Sequence, residues 1–331
     1  MIEPRDTADR HTPVMLARCL ELLAPVLDAA DAVLVDSTLG LGGHTEAVLR
    51  TFPQARVIGL DRDPQALELS RRRLAPFGAR FTGVHSVYDQ IGAVVHGQLR
   101  LPAVQAVLMD LGVSSLQLDE VDRGFSYAQD APLDMRMDRT TGPTAADVVN
   151  TYDEGDLVRI LREYGEERYA QRIARNILVF RDRVPLTRTG ELVQILRASI
   201  PAATRKAGGH PGKRTFQALR IEVNRELESL ERALPASIGV LAVGGRIVVE
   251  AYQSLEDRLV KRAFAVGATS SAPIDLPVEP ETHKPYLRLV TRGAEEASEA
   301  ERATNPRSQS VRLRAAERLR PTPAHLRGDP A

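Results

Sequence analysis

Apolar residues along the chain come in short dense runs, separated by polar stretches whose apolar positions recur every three or four residues. "AVLVDSTLG" (Ala32 to Gly40) is a β-branched run closed by glycine, and "HTEAVLRTF" after it has helical spacing, which predicts a strand, a turn and a helix. "ARVIGLDRDPQALELSRRRL" repeats the unit, with Asp61 closing the strand and Pro64 suited to the first helical turn. "ARFTGVHS" and "AVQAVLMDLG" predict two more strands. Further on, "TFQALRIEVNRELESLERALPASIGVL" predicts one long amphipathic helix, and "GGRIVVEAY" and "YLRLVT" predict strands. Strands alternating with helices imply an α/β fold, a parallel sheet covered on both faces.

The texture changes between Leu118 and Gly212. "EGDLVRILREYG", "EERYAQRIARNILVFRD" and "TGELVQILRASI" are helical patterns with no clear strand between them. The reading is therefore an α/β domain in two parts, residues 1–117 and 213–292, interrupted by a mainly helical insert at 118–212. Residues 293–331, beginning "GAEEASEAERATNP", are polar and poor in aromatics, and are expected to form a partly disordered tail.

Composition narrows the picture. A chain of 331 residues fits two domains, or one large domain with an insertion. Forty-four basic residues balance 44 acidic ones, so net charge gives no support for a nucleic-acid partner. Local sign does vary: "RRR" at Arg71 to Arg73, "RDR" at Arg181 to Arg183, "TRKAGGHPGKR" at Thr204 to Arg214, and an Arg-rich stretch from Arg302 to Arg320. Cys19 is the only cysteine, which excludes an intrachain disulfide and a multi-cysteine zinc site; on an apolar helix face it is expected to be a small core residue. No apolar run approaches the ~20 residues that span a bilayer, and the N-terminus lacks the order of a signal peptide, so a soluble, cytoplasmic protein is expected.

Gly40, Gly42 and Gly43 sit between a strand and a helix, where small residues let a ligand approach the backbone and the helix N-terminus. Asp61 ends the next strand, where a carboxylate can accept from ribose hydroxyls. The bland alternative is a tight turn and a helix cap. A dinucleotide fingerprint wants glycine where Thr45 stands, which weakens a dehydrogenase reading. A class I, Rossmann-like methyltransferase uses the same crevice for S-adenosylmethionine, and its sheet ends in an antiparallel hairpin that "GGRIVVEAY" and "YLRLVT" are expected to form.

Asp110 closes the fourth strand, at the edge where open α/β sheets bind ligands. Gly112, Ser114, Ser115 and Gln117 follow in an irregular run rich in hydrogen-bonding groups, the kind of loop that carries function on a rigid scaffold. An Asp that caps the next segment, with serines in a turn, is the alternative.

"HTPVML" (His11 to Leu16), "LGLGGHTE" (Leu39 to Glu46), "DRDPQA" (Asp61 to Ala66), "DLGVSS" (Asp110 to Ser115), "RGFSY" (Arg123 to Tyr127), "PLDMRMD" (Pro132 to Asp138), "YGEER", "RTFQALRIEVNRELE", "SLEDRLVKR" and "NPRS" follow in order. With these motifs the chain, from His11 to about Arg318, resembles the bacterial ribosomal RNA small-subunit methyltransferase H family, also called MraW. The resemblance implies methyl transfer from S-adenosylmethionine to N4 of a cytidine in the decoding region of 16S rRNA, within the small ribosomal subunit. It also implies a methyltransferase domain interrupted by a helical, RNA-recognising one, with no membrane partner. Carried over by motif, the cofactor contacts are Gly42, Gly43, His44, Asp61, Asp110 and Gln117, with Tyr88 of "HSVYDQ" at the adenine side; Tyr88 also reads as an ordinary half-buried aromatic. Asp110 doubles as the residue that positions the reacting amine.

For the RNA, Phe125 and Tyr127 are candidates to stack on a splayed base, and Arg136, Arg168, Arg214 and Arg220 to hold phosphates. Core packing for the aromatics, and pairing with Asp134 or Asp138 for arginines near "LDMRMD", are the structural alternatives. His44 has no second His or Cys near it in sequence, so no metal is expected there. Leu116, Tyr252, Gln253, Gly212 and Gln309 depart from the family pattern, and Gln253 in place of histidine argues against an obligatory acid or base at that position. A small-molecule methyltransferase and a non-catalytic RNA-binding protein remain as competing readings, and the sequence leaves monomer and homodimer open.

Overall fold

β1 (Val33–Asp36), β2 (Arg56–Asp61), β3 (Phe81–His85), β4 (Val104–Asp110), β5 (Leu241–Ala251), β6 (Leu287–Leu289) and β7 (Arg312–Arg318) form one sheet, in the order β3-β2-β1-β4-β5-β7-β6. The structure, a computed structural model, describes residues 12–202, 210–273 and 279–326; His11 and most of the basic stretch at 204–214 lie outside them. Strands β1 to β5 pair in parallel, and β7 runs antiparallel to both β5 and β6. Strand order turns back between β1 and β4, and such a switch point opens a crevice at the carboxyl ends of the strands.

Burial explains why the central strands read as unbroken apolar runs. Val33, Val35, Val107, Met109, Ile247 and Val249 enter one core, while Leu34, Ala106, Leu108 and Val248 enter another, so alternate residues point into opposite layers. α1 (Leu16–Leu27), α2 (Gly43–Thr51) and α3 (Pro64–Leu74) cover the second layer through Leu22, Leu23, Leu49 and Leu67. Asp63 caps α3 by accepting from the Gln65 and Ala66 amides, and Pro64 takes the first turn.

Residues 113–228 form a second compact unit; the first comprises 1–112 and 229–331. The second contains α4 (Ser115–Asp119), α5 (Ala145–Thr151), α6 (Glu154–Glu163), α7 (Ala170–Arg181), α8 (Thr189–Ser199) and α9 (Lys213–Asn224). Leu157, Ile160, Ile173, Ile177, Leu192 and Leu196 make its core. It runs past Gly212 because Phe216, Ala218 and Leu219 of α9 belong to that core as well. The long helix expected over Thr215 to Leu241 is in fact two. Arg225 is left-handed (φ 50°), and the buried Asn224 accepts from the Met137 amide (2.8 Å) and donates to the Met135 carbonyl (2.8 Å), anchoring the end of α9.

α10 (Glu226–Val240) and α11 (Ser254–Ala268) cover the remaining sheet layer with Leu230, Leu234, Ile238, Val260 and Phe264. Two expectations fail at the far edge. β5 and "YLRLVT" do not pair with each other, because β7 lies between them. β7 comes from the segment read as a partly disordered tail: Leu313, Ala315 and Ala316 are buried, and Arg314 pairs with Asp257 through two bonds of 2.7 and 3.0 Å. No described helix is long and apolar enough to cross a membrane.

Candidate active site

The turn after β1 is built for close approach. Gly42 caps α2 in the left-handed region (φ 77°), and a Cβ on Gly43 would meet Pro13 Cγ at 2.7 Å. Buried Asp36, the last residue of β1, accepts from Thr45 Oγ1 (2.7 Å) and the Thr38 amide (3.2 Å), tying both flanks of the turn to the strand. Thr45, the mismatch to a dinucleotide fingerprint, therefore has a structural use of its own.

Asp61 is joined to the same turn. Its Oδ2 accepts from the Gly40 amide (2.7 Å) and its Oδ1 from the Asp63 amide (2.8 Å), leaving each oxygen a further lone pair. Burial pushes its carboxyl up to about 6, against the pull of those two amides. Tyr88 follows β3 at the same sheet edge, half-buried against the core.

Asp110 ends β4 beside Glu250 of β5. Its amide donates to Thr38 Oγ1 (2.6 Å), Tyr252 donates its hydroxyl to Oδ1 (2.7 Å), and His44 Nδ1 lies 3.7 Å from Oδ2. The side chain remains 29% exposed, open enough to meet a ligand. Burial raises its pKa, while His44, the Tyr252 hydroxyl and Arg307 oppose the rise in that order. Burial and the Asp110 charge hold the Tyr252 hydroxyl far above the usual phenol range, so Tyr252 acts as a donor.

His44 lies buried behind the turn. Its Nε2 is 3.1 Å from the Val14 carbonyl and 3.6 Å from Glu250 Oε2. Because a carbonyl only accepts, Nε2 carries the hydrogen in that contact. Gly42, Gly43, His44, Asp61 and Asp110 are thus gathered at one sheet edge. Thr38, Tyr252 and Glu250 join them, and the sequence motifs singled out none of these three as part of the site. Gln253 has a structural explanation: its amide and side-chain Nε2 donate to Glu256 at the start of α11.

The other expected site residues belong to the second unit. Buried Gln117 accepts from the Ser114 amide (2.9 Å), and its own amide donates to Ser114 Oγ (3.3 Å), a reciprocal cap on α4. Phe125 is only 8% exposed, which fits packing better than stacking. Half-buried Tyr127 stacks on His210 (centroids 4.3 Å, planes 17° apart) with Phe216 edge-on at 5.7 Å. Burial, then the charge of Arg197, pushes the His210 imidazole below its ordinary value. Arg136 holds Asp134 with two bonds (2.8 and 3.0 Å), and Arg220 holds Glu226 likewise (2.8 and 2.9 Å). Arg168 and Arg214 are exposed, Arg214 donating to the Glu166 carbonyl (2.9 Å).

The sequence model of the MraW methylase family matches residues 8–319. A Beutenbergia cavernae protein named ribosomal RNA small subunit methyltransferase H is 64% identical over 313 residues, covering 95% of this chain and 94% of its own. Proteins of the same name from Nocardioides sp. and Saccharopolyspora erythraea are 63% and 61% identical. They cover 93% and 94% of this chain, and 96% and 94% of their own lengths.

Proposed function

This chain belongs to the MraW methylase family, and we propose that it methylates the exocyclic N4 of a cytidine in the decoding region of 16S rRNA, in the cytoplasm. It is an S-adenosylmethionine-dependent methyltransferase. The name shared by its relatives supports small-subunit ribosomal RNA as the substrate.

The residues present fit the cofactor. The Gly42–Gly43 turn puts backbone without side chains at the head of α2, and Asp61 keeps lone pairs for ribose hydroxyls beyond its two amide bonds. Tyr88 is assigned to the adenine side, Gly42, Gly43 and His44 to the methionine side, and Gln117 remains a candidate contact. When bound, the cofactor supplies a methyl group on a positively charged sulfur.

Amine chemistry makes Asp110 the deciding residue. The N4 lone pair is delocalised into the cytosine ring, so the nitrogen must rehybridise as it attacks, and positioning is the main requirement. An acceptor for the N4 hydrogens localises that pair as positive charge develops on nitrogen. The observation that carries the reading is the Asp110 carboxylate, oriented by the Tyr252 hydroxyl yet partly exposed at the carboxyl end of β4. There it accepts a hydrogen bond from N4 and then the proton that N4 loses after transfer.

The test is methyl transfer from radiolabelled S-adenosylmethionine to small ribosomal subunits from a strain lacking this gene. Intact enzyme should form N4-methylcytidine, and Asp110→Asn should turn over about 10²-fold more slowly while still binding cofactor. Full turnover by Asp110→Asn, or label on another atom, would overturn the assignment. Cofactor binding without transfer to any RNA would favour a binding protein instead.

A further inference from the structure

Behind the glycine turn two buried side chains with no part in the proposed transfer, Cys19 and Glu250, meet the ring of His44. Cys19 of α1, His44 of α2 and Glu250 of β5 offer a sulfur, a ring nitrogen and a carboxylate oxygen that all lie within 4.8 Å of one another. Glu250 is 0% exposed, and neither of its carboxylate oxygens has a hydrogen-bond partner among the described residues. Its polar neighbours include the Cys19 thiol, a weak donor, and the His44 ring. A carboxylate so deep in an apolar core either keeps a proton or sits on a cation.

We propose that Cys19 Sγ, His44 Nε2 and Glu250 Oε2 bind a zinc-type divalent cation. Thiolate, imidazole and carboxylate are the donors zinc takes, and the thiolate disfavours magnesium or calcium. Bonds of about 2.0–2.3 Å in a tetrahedron set neighbouring donors roughly 3.3–3.8 Å apart. The 3.6 Å between His44 Nε2 and Glu250 Oε2 meets that spacing. The Val14 carbonyl, 3.1 Å from the same nitrogen, is available as a further oxygen donor.

The other ring nitrogen supplies a second, independent observation. With Nε2 on the cation, the ring hydrogen moves to Nδ1, which faces Asp110 Oδ2 at 3.7 Å. Carboxylate, histidine and metal then stand in the order by which outer carboxylates fix ligating histidines. The cation would brace α1, α2 and β5 behind the glycine turn, and would aim a donor at the carboxylate assigned to the reacting amine. This inference concerns the support of that site and stands whether or not N4 is the methylated atom.

The experiment uses the full chain purified without chelators, equilibrated with zinc chloride and desalted, with metal content read by mass spectrometry. About one zinc per chain is expected, with affinity reduced ~10–100-fold in Glu250→Gln and in Cys19→Ser. Cobalt(II) in place of zinc should give a thiolate-to-metal charge-transfer band in the wild-type chain. That band tests the site even where a variant fails to fold. A wild-type chain that retains no zinc, or a cobalt spectrum without the thiolate band, overturns the site and leaves Glu250 a protonated acid.

Discussion

Tyr252 donates its hydroxyl to Asp110 Oδ1 across 2.7 Å, from the residue after β5 to the last residue of β4. The bond favours the charged carboxylate and orients it, and a hydrogen bond to a charged group contributes about 1.5–3 kcal/mol. Tyr252→Phe should therefore lower kcat about tenfold or more, with little change in cofactor affinity. The Asp110 pKa is already raised by burial, and removing this donor raises it further. The loss of activity on acidification should then begin at higher pH than in wild type. Unchanged kcat and an unchanged pH profile would show that Tyr252 serves packing alone.

Asp61 gives a separate pH dependence. Its carboxyl is pushed up to about 6, so it is charged above that pH and protonates below it, giving up acceptor sites proposed for the ribose. Affinity for S-adenosylhomocysteine, measured calorimetrically, should weaken below pH ~6 with a limiting slope of about one decade per pH unit. Asp61→Asn should bind weakly throughout and lose this slope, which separates Asp61 from Asp110. Constant affinity from about pH 7 to about pH 5 would remove Asp61 from the ribose.

How much of this was legible depends on whether the signal is local. Strands β1, β2 and β4 announce themselves because they are buried on both faces, and the glycine turn and Asp61 lie within one βαβ unit. The Arg136–Asp134 pair, two residues apart, was among the foreseen alternatives. β7 escaped because the alternation of Arg312 and Arg314 with Leu313 and Ala315 is brief, breaking at Ala316, and alanines carry little strand signal. The break at Arg225 escaped because amphipathic spacing runs on through it, while the anchor of Asn224 comes from distant Met135 and Met137. Cys19, His44 and Glu250 meet only through the fold, so a search for neighbouring ligands in sequence found none.

Gly43 tests how tightly the turn is built. A Cβ there would stand 2.7 Å from Pro13 Cγ, well inside ordinary carbon contact, and Pro13 precedes Val14, whose carbonyl meets His44. The proline ring cannot swing aside, so backbone must move. Gly43→Ala should cost about 1–3 kcal/mol of stability in denaturant titration and weaken cofactor binding with it. Gly97→Ala, where nothing lies within 4 Å of the added carbon, should remain within about 0.5 kcal/mol of wild type.

The arginines of the second unit divide by their partners, and the two groups should behave oppositely. Arg168 is exposed, without a hydrogen bond or ion pair among the described residues, and exposed Arg214 spends one nitrogen on a carbonyl. Arg136 and Arg220 each hold a carboxylate through two bonds, and Glu226 beneath Arg220 is buried. If the exposed pair meets RNA phosphates, Arg168→Ala and Arg214→Ala should each weaken RNA binding and reduce the slope of log affinity against log salt by about one. Their thermal stability should hardly change. Arg220→Ala removes two charged hydrogen bonds from buried Glu226, which should lower stability by roughly 1–3 kcal/mol and leave the salt slope intact. Finding the salt slope altered by Arg220→Ala but not by Arg214→Ala would reverse the division, placing the phosphate contact on the half-buried guanidinium and making its bond to Glu226 one that RNA must break.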